Sequence, residues 1–180
     1  MIYMFLANGF EEIEALCPLD LLRRAGLDVC TVGVGGSVIT GSHGISVHAD
    51  MTDATFDGSD LEMVILPGGM PGSVNLDASP AVELALRTAV SKDAYLCAIC
   101  AAPLVLGRRG LLQGKRATCY PGFEEELKGT VEIGRGVVTD GKVITAEGMG
   151  VALEFGLALV AALKGQAQAD RIRESIRAQA

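Results

Sequence analysis

The sequence predicts an α/β domain whose core is a mostly parallel β-sheet with helices on both faces. Three observations carry this expectation. Short apolar runs rich in β-branched residues alternate with helical patterns, the βαβα order of a parallel sheet. The 180 residues, 49% of them hydrophobic, suffice for one sizeable core and leave no room for two full domains. No internal repeat, low-complexity tract or Pro/Ser-rich linker interrupts them, so a single domain over residues 1–180 is expected.

The first strand is expected at 2–7. The apolar stretch around it reaches Glu11 and Glu12 without a basic residue or a small-residue cleavage site, so it reads as a strand and not as a signal peptide. A helix over 11–25 follows, closed by Gly26, with Arg23 and Arg24 placed to complement its dipole; Pro18 is expected to kink or split it. Strands are expected at 28–34 and 61–66, with a hairpin over 38–48 beside the main sheet. A helix over 80–90, a strand at 94–99, a helix over 101–108 and a short strand at 117–119 come next. A second hairpin over 136–145 turns through Asp140-Gly141 beside the sheet, and its second arm reads as a strand at 142–145. Helices over 150–163 and 170–177 complete the chain; the last carries Ile172 and Ile176 on one face, suited to the body or to a partner chain. The apolar run 155–163 is far shorter than the ~20 residues of a membrane span.

Composition excludes several function classes. With 22 acidic against 15 basic residues the net charge is −7, which offers no field to attract phosphate backbones, so nucleic acid is not expected as a partner. Five cysteines (17, 30, 97, 100, 119) and two histidines lack the spacing of a zinc site, and no metal is expected. The odd cysteine count argues against a secreted disulfide framework. A cytoplasmic chain with reduced thiols is expected, in which a special cysteine acts through its thiolate or through reversible oxidation.

In open α/β sheets ligands bind beyond the carboxyl ends of the strands. Three junctions there stand out: N-G-F-E-E-I-E at 8–14, L-P-G-G-M-P-G at 66–72 and A-I-C-A-A-P at 98–103. Cys100 follows a buried strand and precedes a helix, so amides are expected to point at its sulfur and lower its pKa from about 8.5, on a turn like the nucleophile elbow of serine hydrolases. Gly68 and Gly69 offer backbone without side chains, whose amides, with Ala101 at the turn, approach an oxyanion or an oxidised sulfur. Glu11 and Glu12 read as a solvated first helical turn. Glu14, between Ile13 and Ala15, is expected to face inward, where burial raises its pKa and keeps it protonated as a donor to a thiolate or sulfinate.

The spacing of Cys97 and Cys100 raises a redox pair, but strand parity puts Tyr95, Cys97 and Ile99 on one face and turns Cys97 away. Cys17, Cys30 and Cys97 read as core packing, and Cys119, before Tyr120, as a second oxidisable thiol near the site. Asn8 at the first junction and Glu147-Gly148 before the long helix complete the candidate pocket. His43, in a Gly-Ser-His-Gly turn, is positioned to reach a site across a dimer interface. Ala101, not a histidine, follows Cys100, which disfavours a Cys-His hydrolase.

Five segments in order, N-G-F-E-E-I-E, D-L-L-R-R-A-G, V-I-L-P-G-G, A-I-C-A-A-P and the late E-G-M-G-V-A-L-E-F-G-L-A-L-V, resemble the ThiJ/PfpI family from residue 2 to about 165, in the group of the parkinsonism-associated deglycase and bacterial YajL-like proteins. The resemblance implies a flavodoxin-like three-layer sandwich that forms homodimers. It matches Cys100 to the reactive cysteine, Glu14 to its carboxyl partner and Gly68-Gly69 to the oxyanion turn, with no cofactor. It implies a glyoxalase or deglycase acting on methylglyoxal, a small reactive aldehyde, or on its early protein adducts. The alternative it carries is an oxidative-stress sensor or redox-regulated chaperone using a cysteine sulfinate. A thiamine-related label among bacterial relatives finds no support in these residues, and Ala101 disfavours a peptidase. The chain departs from the family at Tyr120, where relatives often have a His, at His43, where they have an Arg, and at Glu147, where they have a polar or basic residue. These changes weaken a histidine proton shuttle and remove positive charge that would hold an anion.

Overall fold

Alternation along the first strand sets up the layers. Tyr3 and Phe5 bury on one side of the sheet, and Ile2, Met4 and Leu6 on the other. The computed structural model describes residues 1–178. The chain runs through β1 (Ile2–Leu6), α1 (Glu12–Arg24), β2 (Val29–Gly33), β3 (Val38–Thr40), β4 (Ser46–His48), β5 (Met51–Thr52), β6 (Met63–Leu66), α2 (Gly72–Asp77), α3 (Pro80–Ser91), β7 (Tyr95–Ile99) and α4 (Pro103–Arg108). It continues through β8 (Arg116–Ala117), β9 (Glu132–Ile133), β10 (Val137–Asp140), β11 (Val143–Ala146), α5 (Ala152–Lys164) and α6 (Gln166–Ser175).

Seven strands form the central sheet in the order β10-β11-β7-β6-β1-β2-β5, parallel throughout except for β10 against β11. Two apolar layers sandwich it. Leu76 of α2, Leu86 of α3 and Leu106 of α4 pack on the face of Phe5, Val64 and Ala98. Leu22 of α1, Phe155 and Val160 of α5 and Ile172 of α6 cover the face of Met4, Ile65, Cys97 and Ile99. Cys97 therefore shares the α1/α5 face with Ile99 and Tyr95, as parity requires, and all five cysteines are free. No helix among the described residues is long and apolar enough to cross a membrane.

Several expectations are corrected. The hairpin at 136–145 does not lie beside the sheet: β11 pairs with β7 in parallel, and β10 closes the edge. The run 117–119 contributes only Ala117 to a strand, in a separate parallel pair of β8 with β9. Helix α2 and the edge strand β5 were not expected, because six and two residues carry too little periodicity to read. The last helix starts at Gln166 and ends at Ser175. Cys17 and Cys30 are only partly buried.

Pro18 does not split the first helix. α1 continues through it because α5 approaches closely at that point: a Cβ on Gly156 would stand 2.9 Å from Pro18 Cα and 2.6 Å from Leu21 Cδ1. Packing of the apolar face, not propensity, holds such a helix together. Its C-terminus ends at Gly26, with φ of +69°, and Leu27 N–H donates back to Leu22 C=O at 3.1 Å.

Candidate active site

β1, β6 and β7 are neighbours, so the three segments at their carboxyl ends meet, and backbone bonds lock them together. Glu11 N–H donates to Gly68 C=O at 2.9 Å and Gly72 N–H to Gly9 C=O at 3.2 Å, while Cys100 N–H ties the third segment to the end of β11 at Ala146 C=O, 2.9 Å away. Gly69, with φ of +91°, fits only without a side chain, since a Cβ there would lie 2.6 Å from the carbonyl carbon of Phe10. Cys100 itself has φ of +64°, the left-handed region that a non-glycine residue rarely occupies, and this turn presents its thiol at the strand end.

Glu14, one turn into α1, is 1% exposed and reaches the same point. Its Oε2 accepts the Gly68 N–H at 3.0 Å, and the Met149 amide faces the carboxyl group and favours its anion. The Cys100 thiol lies against this carboxyl group, and the Gly69 and Ala101 amides face the sulfur and favour its anion. Burial pushes the Glu14 carboxyl up to about 7. Burial, reinforced by the charge of Glu14, pushes the Cys100 thiol up to about 12. These values belong to the pair: below about pH 7 it holds two protons and above that one, shared between carboxyl oxygen and sulfur, and transfer of that proton to Glu14 produces the thiolate. The lowered thiol pKa expected from a helix N-terminus is therefore not what the structure has. Helix α4 begins three residues later, at Pro103, and two single amides are outweighed by desolvation and the carboxylate.

Above the pair opens a cavity of about 610 Å³. It brings together Glu14, Cys100, His43, Tyr120, Glu147 and Gly148, with Gly68, Gly69 and Ala101 at the turns beneath. Gly68 takes a different part from the expected one, because its N–H is given to Glu14 and so positions the carboxyl group. A Cβ on Gly68 would press on Glu14 Oε2 and lie 2.6 Å from Cys100 Cβ. Glu147 accepts the Gly136 N–H at 2.7 Å. Gly148 lies where a Cβ would come 3.2 Å from Tyr120 Cδ2.

Two candidates fall outside. Asn8 turns away: its side-chain oxygen accepts the Thr40 N–H at 2.9 Å, and it borders another cavity with Val34 and Asn75. Cys119 is buried in the layer of α3 and α4, where desolvation raises its thiol to about 11. His43 sits at the rim of its own chain's cavity. Glu12, expected in solvent, is 3% exposed and clamps the β3–β4 turn. It accepts the His43 N–H at 2.7 Å and faces His43 Nδ1 at 2.8 Å, which holds the Glu12 carboxyl low and draws the imidazole pKa up. The signal for Glu12 was present in the sequence, since it heads the row Glu12, Ala15, Leu19, Leu22 at helical spacing, whose other members are buried. Pro121 and Arg135 were missed; as loop contributors they leave no periodic trace.

Glu11, Glu12 and His43 bring one ligand atom each within 4.8 Å of one another. Both oxygens of Glu12 are engaged with the His43 turn, so the group is a closed hydrogen-bonded cluster.

Comparison with known proteins agrees with this architecture. The model of the DJ-1/PfpI family matches residues 1–162. Protein DJ-1 homolog A of Arabidopsis thaliana is 36% identical over 171 residues, 93% of this chain, although the chain spans only 44% of that relative's length. Deglycase PfpI of Pyrococcus furiosus is 34% identical over 143 residues, 78% of this chain and 85% of its own. The crystal structure of a mutant of the DJ-1 superfamily protein STM1931 from Salmonella typhimurium aligns with a TM-score of 0.93 at 35% identity, covering 99% of this chain and 98% of that one. A family-model match over most of the chain, together with the shared fold, places this protein in the DJ-1/PfpI family.

Proposed function

We propose that the chain is a cofactor-independent glyoxalase or deglycase, acting on methylglyoxal or on its early protein adducts. The observation that carries this reading is the Cys100–Glu14 pair, a thiol and a carboxyl group sharing a proton beneath a cavity, with the Gly69 and Ala101 amides on the sulfur. The name of the Pyrococcus furiosus relative agrees with it.

Moving the shared proton to Glu14 frees the thiolate, which adds to the aldehyde carbon; the carbonyl oxygen takes up a proton and a hemithioacetal forms. Glu14 then carries a proton from C1 to the neighbouring carbonyl carbon through an enediol. C1 is thereby oxidised to a thioester and C2 reduced to an alcohol. Water cleaves the thioester, returning the thiol and releasing a 2-hydroxy acid. An adduct on an amine enters at the same point, with the thiolate displacing the amine.

Lactate formed from methylglyoxal tests the reading. It should disappear in both Cys100→Ser and Glu14→Gln; lactate at the wild-type rate in either variant would overturn the mechanism. The same surroundings favour a second reading, a sulfinate on Cys100 held by the two amides and protonated Glu14 in a redox sensor or chaperone. Mild peroxide should then add two oxygens at Cys100 before Cys17 or Cys97.

The working unit we propose is a cytoplasmic homodimer. Exposed Ile13, Ile45 and Met149 lie on the elements that frame the cavity, and light scattering should give twice the chain mass.

A further inference from the structure

The lining of the Cys100 cavity is of two kinds. Tyr120, Pro121, Met149 and Val151 are apolar, whereas Glu11, Glu14 and Glu147 are carboxylic acids. The two basic side chains that reach the cavity are each set against a carboxylate of this chain. His43 Nδ1 lies 2.8 Å from Glu12 Oε2, and Arg135 Nη1 lies 3.8 Å from Glu147 Oε1. The three lining carboxyl groups and Glu12 beside His43 thus outnumber the two bases, each of which has a carboxylate of this chain beside it. A cleft lined mainly by one sign of charge focuses that field on whatever enters it. Its volume of about 610 Å³ lies in the usual range for drug-sized ligands, roughly 300–1,000 Å³, so a three-carbon aldehyde leaves most of the apolar lining uncovered.

We infer that the site takes uncharged 2-oxoaldehydes bearing an apolar substituent, rejects carbonyl compounds that carry a carboxylate, and expels its own product by charge. The inference rests on the reading of this cavity as the place where Cys100 attacks an aldehyde. In the overall reaction a neutral 2-oxoaldehyde and one water become a 2-hydroxy carboxylate and a proton, so the substrate enters without charge and the product leaves as an anion. Tyr120 and Met149 supply the surface against which the substituent packs. Glu147, held by the Gly136 N–H, supplies negative charge at a fixed place.

Alkylation of Cys100 tests the charge selectivity without requiring turnover. Neutral iodoacetamide and anionic iodoacetate are compared at Cys100 by peptide-resolved mass spectrometry, with an uncharged cysteine amide as the reference thiol. The amide-to-acetate rate ratio at Cys100 should exceed the reference ratio by about tenfold. It should narrow severalfold in Glu147→Gln and, in the wild-type chain, at high salt. A ratio no larger than that of the reference thiol overturns the inference, whether or not the variant folds. Turnover of phenylglyoxal, methylglyoxal and the anionic 4-carboxyphenylglyoxal then orders the substrates. 4-Carboxyphenylglyoxal consumed as efficiently as phenylglyoxal would also overturn it. Loss of all turnover with the alkylation ratio intact would count against the proposed activity and leave the charge selectivity standing.

Discussion

Replacing Glu14 with Gln should change how stability depends on pH, and the size of the effect follows from the site. The carboxyl group is 1% exposed, and its pKa rises from an ordinary 4.5 to about 7 because burial disfavours its charge. A carboxyl whose folded pKa is raised favours the native state while protonated. Its contribution is complete below pH 4.5, declines as the unfolded chain ionises first, and is gone above about 7. A shift of about 2.5 units at 1.36 kcal/mol each corresponds to roughly 3 kcal/mol. Gln keeps an oxygen for the Gly68 N–H and cannot ionise. Denaturant unfolding of both proteins on either side of that window should show the variant gaining about 3 kcal/mol relative to wild type from the acid to the alkaline side. The comparison cancels every titrating group that does not face Glu14, and measurements kept below about pH 8 leave the Cys100 thiol protonated in both proteins. A difference between the two proteins that stays constant with pH would refute the buried, pKa-shifted carboxyl group and, with it, the shared proton.

Three further outcomes are expected. The iodoacetamide reactivity of Cys100 should rise through a step near pH 7, where the pair loses its first proton, and that step should vanish in Glu14→Gln. Glu12→Gln removes the charge that faces His43, so hydrogen exchange at residues 41–45 should quicken and the imidazole pKa, followed by NMR, should fall. Gly156→Ala should destabilise the fold by about 1–3 kcal/mol in denaturant unfolding, since the new methyl group meets Pro18 and Leu21 across the α1–α5 contact; an unchanged midpoint would refute that closeness.

The strands β1, β6 and β7 were legible because each is a short apolar run bounded by breakers, and a parallel sheet buried on both faces demands that composition. Their adjacency followed, and with it the meeting of Cys100, Glu14 and the Gly68-Gly69 turn. The hairpin at 136–145 was read as an accessory because its turn shows in the local sequence, whereas the pairing of β11 with β7 joins residues forty-seven apart. Asn8 was expected in the pocket and Glu14 as the partner of Cys100. They differ because one lies before the turn of the chain and bonds to β3, while the helical twist of α1 carries the other beneath Gly68.

By itself the sequence determined the layered α/β architecture, the strand-end position of Cys100 and the glycine turns that surround it. These depend on local periodicity, on breakers and on the two-fold alternation of strands. Only the tertiary structure decided the protonation of that cysteine and the part played by each acid. The amides expected to lower the thiol pKa are outweighed by a buried carboxylate, Gly68 serves that carboxylate, and Glu12 leaves solvent to hold His43. Desolvation and charge coupling depend on distances between segments remote in the chain, and such distances exist only once the sheet has brought its strand ends together.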